Sequence, residues 1–199
     1  MEQAYENIVN NIKKYISANE FLAKPFYFES LNKNLLCVYL FGGTHSTLYI
    51  YDDKHNMNAV GEILYNVNGD KAFISQIECM EEMQKCGIGK FLFNMALAHA
   101  DALKATSVSG CIKPCNAIKG ISDNSSNNND KEVEALKEIY KRLGCTITEE
   151  NLFGNANYKT YKFSQQWNPG EKLNDSKLIS LSQKQFLFNM VNMQKTLKR

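Results

Sequence analysis

The chain opens with hydrophobic positions at helical spacing and continues with β-type runs. An amphipathic helix is predicted over residues 1–22, because apolar residues recur every three or four positions among polar ones. These apolar residues are Tyr5, Ile8, Ile12, Tyr15 and Ile16. Four β-branched or aromatic runs bounded by turn residues predict strands at 35–41, 47–51, 59–66 and 72–79. Their short connections predict an antiparallel meander.

The pattern changes to a helical period after Met80. A long helix is predicted over residues 87–105, and its apolar residues on most sides indicate that it lies against a sheet. A strand at 107–112 follows, and the order strand, helix, strand predicts a parallel pair joined by a right-handed crossover. The sequence therefore predicts an α/β (α+β) fold with a mixed, mostly antiparallel sheet flanked by helices.

A polar segment interrupts the second half of the chain. The stretch 121–130 is rich in Asn and Ser, so residues 117–131 are expected to form a mobile surface insertion. A helix is predicted from Glu132 to Leu143, with Gly144 as its C-cap residue. Closing strands are predicted at 145–148 and 158–163.

The carboxy-terminal extension, residues 164–199, adds one more helix. After a break at Pro169-Gly170, apolar residues at helical spacing predict a helix over 178–197. This helix either docks on the domain or is offered to a second copy of the chain in a homodimer. Docking is favoured, because monomers seldom leave a large apolar stripe in water.

Composition describes one soluble domain rather than a membrane or nucleic-acid-binding protein. Hydrophobic residues make up 44% of the 199 positions and charged residues 22%, and the formal net charge is +2. A charge this small does not supply a broad phosphate-binding surface, so nucleic acid is not an expected partner. With no apolar run of about 18 residues and no export signal, we expect no membrane span and a cytoplasmic location. The six cysteines form no Cys-x-x-Cys pair and lie apart from the three histidines, so we expect free thiols and no metal site.

A glycine-containing turn lies between the strand 72–79 and the helix 87–105, where residues 83–90 read MQKCGIGK. Glycines at such a position let the backbone approach a ligand, and the first helical amides present donors at the positive end of the helix dipole. The turn is therefore a candidate anion site, although on spacing alone an ordinary turn is an equally good interpretation. It has neither the Walker spacing nor the third glycine of the dinucleotide motif, where Leu92 stands.

The same segment resembles the acyl-CoA loop of the GNAT superfamily of N-acetyltransferases, whose pattern is Arg/Gln-x-x-Gly-x-Gly/Ala. Gln84, Gly87 and Gly89 match that pattern in register. A second match begins at Tyr140, because the family carries a tyrosine on the helix that follows its fifth strand. The order of predicted elements agrees over about residues 35–163. The resemblance implies a GNAT-like fold, acetyl-CoA as co-substrate and transfer of an acetyl or other acyl group to an amine.

The resemblance also implies which residues hold the co-substrate. In this family the pantetheine arm pairs with the strand before the loop, and loop amides bind the pyrophosphate. A glutamine or arginine shapes the turn, and an asparagine after the next strand often contacts the arm. The corresponding residues here are Ile77, Cys79, Gln84, Lys85, Cys86, Gly87, Ile88, Gly89, Lys90 and Asn116.

The implied reaction is direct attack of a neutral primary amine on the thioester in a ternary complex. Tyr140 is the candidate general acid for the leaving thiolate, and an aromatic in the core is its alternative role. The family's usual positions for a general base hold Phe73 and Ser75 here, and a further one holds Cys111. Glu78 remains as a candidate base, beside removal of the proton through an ordered water.

Several questions stay open at the level of sequence. The acceptor could be a protein or peptide amine, a polyamine or aminoglycoside, or an aminoacyl-tRNA amine. Without an evident base, a catalytically weak, acyl-CoA-binding regulatory module is the alternative function, and a protein that self-associates through its last helix is a third. His99 lies on the apolar face of its helix and is expected to be a hydrogen-bonded core residue.

Overall fold

The structure is a computed structural model that describes residues 3–16, 20–55, 58–112, 126–151 and 159–197. Within these ranges one sheet of eight strands carries helices on both faces. The strands are β1 (Phe21–Phe28), β2 (Lys33–Phe41), β3 (Ser46–Tyr51), β4 (Ala59–Asn68), β5 (Lys71–Cys79), β6 (Ser107–Ile112), β7 (Thr146–Asn151) and β8 (Lys159–Gln166). The helices are α1 (Gln3–Ile12), α2 (Ile88–Ala102), α3 (Ser126–Arg142), α4 (Glu171–Asn174) and α5 (Leu181–Leu197).

The strand order is β1-β2-β3-β4-β5-β6-β8-β7. Every neighbouring pair is antiparallel except β5 and β6, which α2 joins as a parallel crossover. The predicted meander, the parallel pair and the mixed, mostly antiparallel sheet are confirmed. Most of the predicted strands agree with the observed bounds to within a few residues, because their alternating apolar positions match the buried face of the sheet.

The larger core lies on the sheet face that α2 covers, and we call this the α2 face. Helix α2 is buried along most of its length, and α3 and α5 flank it on the same face. Tyr140 of α3 packs on Phe93 of α2, and Phe186 of α5 packs on Phe26 of β1. On the opposite face, which we call the α1 face, helix α1 buries Tyr5 and Ile8 in a smaller cluster over β1 and β2.

The prediction of a helix over residues 1–22 is wrong at its carboxy-terminal end. Helix α1 stops at Ile12, and Phe21–Phe28 forms a strand that the sequence analysis missed. Tyr15, assigned to the apolar stripe, is 84% exposed. The strand is favoured because Phe26 and Phe28 both reach the ring of Phe91 on α2, an opportunity for burial that local spacing does not reveal.

The expected insertion at 117–131 is corrected at its end. Helix α3 begins at Ser126, six residues before the predicted start at Glu132. Once the amphipathic part of α3 is packed on the sheet, the helix is already nucleated. Each further residue then adds one backbone hydrogen bond, so a polar segment can extend the helix toward its amino terminus. Residues 113–125 lie outside the described residues.

The carboxy-terminal extension docks on its own chain, as predicted. Helix α5 buries Phe186, Leu187 and Met190 on the α2 face. The turn before it is held by Asp101, a carboxylate with 3% exposure that accepts hydrogen bonds from the amides of Gly170 at 2.7 Å and Leu173 at 3.0 Å. Among the described residues, no helix has the length and apolar character needed to cross a membrane.

Candidate active site

Strands β5 and β6 separate part of the way along their length. Their parallel pairing runs from Lys71 with Ser107 to Ile74 with Gly110, and it ends there. Beyond that point β5 continues to Cys79 along β4, whereas β6 continues to Ile112 along β8. The sheet is therefore split by a wedge-shaped gap, whose β5 side is formed by residues 75–79.

An irregularity in β5 marks the start of this gap. Leu64 of β4 pairs with Gln76, but the next residue, Tyr65, pairs with Ile74. Ser75 is therefore an extra residue, a β-bulge that bends the strand and increases its twist. The bulge at Ser75 therefore interrupts the regular alternation of side chains along this strand.

The backbone of β5 beyond the bulge is directed into the gap at alternate residues. The amide of Met80 donates to the carbonyl of Val60 at 3.0 Å, so the backbone N–H and C=O groups of Met80 point toward β4. Because backbone direction alternates along a strand, those of Ile77 and Cys79 point toward the gap. Their side chains pack against the main core, so it is their backbone that faces the gap.

The loop after β5 presents main-chain donors beside the same gap. Helix α2 begins after Gly87, whose carbonyl accepts the first helical hydrogen bond, from Phe91. Within the described part of the chain, no acceptor takes a hydrogen bond from the amides of Gly87, Ile88, Gly89 or Lys90. Together with the partial positive charge of the helix terminus, these donors form a site suited to an anion.

The loop is shaped by two residues with positive φ. Lys85 has φ 62° and Gly87 has φ 83°, and both Lys85 and Lys90 have exposed side chains. A β-carbon on Gly87 would meet nothing within 4 Å, so glycine is required there by backbone conformation rather than by space. A lysine in this conformation is less favourable by about 1–2 kcal/mol, and at Lys85 it adds a positive charge next to the helix terminus.

Close packing places the beginning of α2 on the sheet. A β-carbon on Gly61 of β4 would lie 2.5 Å from Cγ2 of Ile88 and 3.3 Å from Cδ1 of Leu92. Ile88 and Leu92 are fully buried, so the helix start rests on the backbone of β4 at this point. Gly89 faces Cys79, and a β-carbon there would be at an ordinary 3.7 Å from its Sγ. The sequence analysis did not single out Gly61, since an isolated glycine in a strand indicates a close approach without naming its partner.

Side chains from two other segments contact the loop region. Ser30, in a short 3-10 turn between β1 and β2, donates from Oγ to the carbonyl of Cys86 at 2.6 Å. Nε2 of His55 lies 3.3 Å from Oε1 of Glu82, in the turn just before the loop. Nδ1 of the same ring lies 3.1 Å from the buried carboxylate of Asp52.

Asp52 is also paired with Lys33. The Lys33 Nζ to Asp52 Oδ2 distance is 2.5 Å, and the Asp52 side chain is 1% exposed. Burial by itself would raise the pKa of this carboxyl, but the hydrogen bond and charge of Lys33 outweigh it, so the pKa is lowered. The pair fixes the turn that carries His55.

Tyr140 lies in the core beneath β8. Its ring stacks on Phe163 with centroids 4.1 Å apart and an interplanar angle of 9°, and the residue is 6% exposed. Phe163 can lie there because Gly110 has no side chain: a β-carbon at Gly110 would be 2.4 Å from the Phe163 ring. Gly110, the last residue of β6 that pairs with β5, thus positions Tyr140 through the ring of Phe163.

Two carboxylates lie next to each other on the α1 face. Glu78 of β5 pairs across the sheet with Glu62 of β4, and Gln76 donates from Nε2 to Oε1 of Glu62 at 2.7 Å. Burial, followed by the charge of Glu78, raises the pKa of Glu62. Tyr49 of β3 is the cross-strand neighbour of Glu62, and burial and the charge of Glu62 raise its pKa. The sequence analysis identified Glu78 but missed Glu62, which only the strand register brings beside it.

His99 is fully buried with its Nδ1 2.7 Å from the hydroxyl of Tyr65, as expected of a hydrogen-bonded core histidine. Asn116 lies outside the described residues. No cluster of three or more His, Cys, Asp or Glu residues suited to a metal ion occurs in the described ranges.

Solved structures share this architecture. A cAMP-binding acyltransferase from Mycobacterium smegmatis superposes with a TM-score of 0.60 at 9% sequence identity, over 98% of this chain and 61% of its own. This chain therefore spans about three fifths of that protein's length. Because the superposition covers nearly the whole chain, the shared architecture extends beyond residues 35–163, the range of the sequence resemblance.

Two further structures are less similar. A protein from Desulfovibrio desulfuricans, described as an acetyltransferase of the GNAT family, gives a TM-score of 0.46 at 11% identity, over 62% of this chain and 69% of its own. Nourseothricin acetyltransferase gives a TM-score of 0.47 at 14% identity, over 75% of this chain and 85% of its own.

The mixed eight-stranded sheet, the strand gap and the glycine-containing loop before α2 are those of the GNAT-like fold that the sequence resemblance predicted. At these sequence identities the likeness concerns the fold alone. No model of a known protein family and no curated protein sequence matches the chain.

Proposed function

We propose that this protein transfers an acetyl or other acyl group from acyl-CoA, with acetyl-CoA as the natural first candidate, to a primary amine. The observation that carries the proposal is the set of four amide donors at Gly87, Ile88, Gly89 and Lys90 beside a gap in the sheet. A diphosphate needs such donors, and an acyl-bearing arm needs an adjacent strand edge.

The co-substrate is expected to bind along β5 and the loop. The amides of residues 85–90 hold the diphosphate, with Lys85 and Lys90 adding positive charge and Gln84 shaping the turn. The amide-containing pantetheine arm pairs with the backbone of Ile77 and Cys79, which points into the gap. Asn116 is proposed to contact the arm as well.

The chemistry requires three proton transfers, two from the nitrogen and one to the sulfur. An ammonium acceptor first loses one proton, and the neutral amine attacks the thioester carbonyl to give a tetrahedral intermediate. The carbon–sulfur bond then breaks, the nitrogen loses its second proton, and the thiolate leaves as a thiol after gaining one. We propose Tyr140 as the donor to the thiolate, since its phenol can protonate sulfur where the two meet.

Glu78, together with its neighbour Glu62, is proposed to accept the proton from the amine. The two carboxylates face each other across neighbouring strands, and the raised pKa of Glu62 favours proton uptake nearer to neutral pH. The negative charge of the pair also favours a cationic acceptor over a neutral one. Gln76 keeps the Glu62 carboxylate in one orientation.

Binding and turnover measured side by side test this function. Calorimetric titration with acetyl-CoA should give saturable binding, and S-acetylpantetheine, which lacks the diphosphate, should bind far more weakly. Thiol release should then be measured with a panel of mono-, di- and tricationic primary amines. Binding without thiol release from any amine would favour the regulatory module, and absence of binding would reject the coenzyme site itself.

A further inference from the structure

A side chain from outside the loop contacts its backbone at one point. Ser30 lies in the 3-10 turn Glu29–Leu31, which connects β1 to β2. Its Oγ donates to the carbonyl of Cys86 at 2.6 Å, across 56 residues of sequence. This bond joins the first hairpin of the sheet to the loop that precedes α2.

The position of the turn is set by aromatic packing on α2. Phe28, immediately before the turn, is 7% exposed and has its ring centroid 5.1 Å from that of Phe91. Phe26 lies 5.4 Å from the same ring, and Leu31 packs against the same core at the other end of the turn. Both ends of the turn are therefore anchored to the body of the domain, so Ser30 is presented to the loop from a fixed base.

The Ser30 bond has a geometric consequence for the next amide. The Cys86 carbonyl and the Gly87 amide belong to one planar trans peptide group, so the C=O and the N–H point in opposite directions. Holding the carbonyl toward Ser30 therefore directs the Gly87 N–H away from Ser30. The bond also polarises that N–H, because hydrogen bonds to the two ends of one peptide strengthen each other.

The Cys86–Gly87 peptide needs such a restraint more than its neighbours do. Gly87 has φ 83°, and a glycine readily adopts either sign of φ, so its own conformation gives this peptide little rigidity. The residues that follow are held by the helix and by the contact of Ile88 with Gly61. The Ser30 hydroxyl supplies the restraint on the amino-terminal side of Gly87.

We propose that Ser30 is a positioning residue for the coenzyme loop: its bond to the Cys86 carbonyl orients the Gly87 amide toward the diphosphate of acyl-CoA. This inference rests on the proposed function for the identity of the ligand. Its structural part, the orientation of one peptide group, stands independently. The ligand class is a diphosphate bound through main-chain amides.

Two substitutions at Ser30 and one elsewhere test the role. Ser30→Ala should weaken coenzyme A binding about five- to tenfold in calorimetry, the loss expected when one neutral hydrogen bond is removed. In turnover assays it should raise the KM for acetyl-CoA by a similar factor and leave kcat for the amine nearly unchanged. Ser30→Thr keeps the hydroxyl and should restore most of the affinity. Ser107→Ala, which removes a Ser Oγ bond to the Asp70 carbonyl away from the loop, should bind like the unmodified protein.

A measurement on the free protein separates this inference from the proposed function. In an amide proton–nitrogen NMR spectrum without ligand, Ser30→Ala should shift the Gly87 resonance, and Ser107→Ala should leave it in place. An unchanged Gly87 resonance, or unchanged coenzyme affinity in Ser30→Ala, would overturn the role of Ser30. If the unmodified protein does not bind coenzyme A, the proposed function fails together with the coenzyme role of Ser30.

Discussion

Replacing Gly87 with alanine tests the anion site with a built-in control. Gly87 and Gly43 have nearly the same positive φ, 83° and 78°, and a β-carbon at either would meet nothing within 4 Å. Gly43 lies in the connection between β2 and β3, far along the sequence from the loop. An alanine at either position is penalised by backbone strain alone.

The expected magnitudes follow from this equivalence. Each substitution should lower the free energy of unfolding by about 1–2 kcal/mol, the penalty of an L-residue in the left-handed region. Gly87→Ala should in addition weaken coenzyme A binding at least about tenfold, because relaxing φ at residue 87 turns one or more charge-assisted amide bonds away from the diphosphate, each worth about 1.5–3 kcal/mol.

Urea unfolding and calorimetric titration measure the two effects separately. We predict matched losses of stability and a loss of coenzyme affinity confined to Gly87→Ala. Equal coenzyme affinity in both variants would show that the loop conformation has no part in binding.

Three further substitutions test the surroundings of the site. Gly61→Ala drives a β-carbon into Ile88, so we expect about 1–3 kcal/mol of destabilisation in urea and weaker coenzyme binding as the start of α2 moves; unchanged binding would contradict this packing role. Lys33→Met removes the partner that lowers the pKa of Asp52, and a lowered carboxyl pKa stabilises the fold at pH values above the unfolded pKa near 4. The free energy of unfolding should therefore fall by at least about 1 kcal/mol at pH 7 and by almost nothing near pH 2. An equal loss at both pH values would contradict the charge pairing. Tyr140→Phe keeps the stacked ring but removes the phenol, so kcat should fall about 10²- to 10⁴-fold with coenzyme affinity intact, whereas an unchanged kcat would leave Tyr140 a core residue.

The sequence predicted the parts of the fold that depend on local pattern. The meander, the α2 crossover and Gly144 as a left-handed C-cap, with φ 84°, all follow from alternation, helical spacing and glycine chemistry. Strand β1 was missed because the pairing partner of Phe26 is Leu35 on the next strand and its packing partner is Phe91, far along the chain. Both are tertiary interactions, which override local propensity.

The candidate site shows the same division between local and tertiary information. The glycine-containing loop lies between β5 and α2, where the sequence predicted it, because the change from a strand pattern to a helical pattern is a local property. The bulge at Ser75 and the proximity of Glu62 to Glu78 depend on register between strands, which a single sequence does not specify.

The proposed function depends on the claim that main-chain amides at the start of α2 bind the diphosphate of an acyl-CoA. Amide proton–nitrogen NMR of the labelled protein, titrated with coenzyme A, observes each of these amides separately. We predict that the resonances of Gly87, Ile88, Gly89 and Lys90 shift together and saturate, with the proton shifts in the direction of stronger hydrogen bonding. Resonances that stay unmoved at millimolar coenzyme A would contradict the claim.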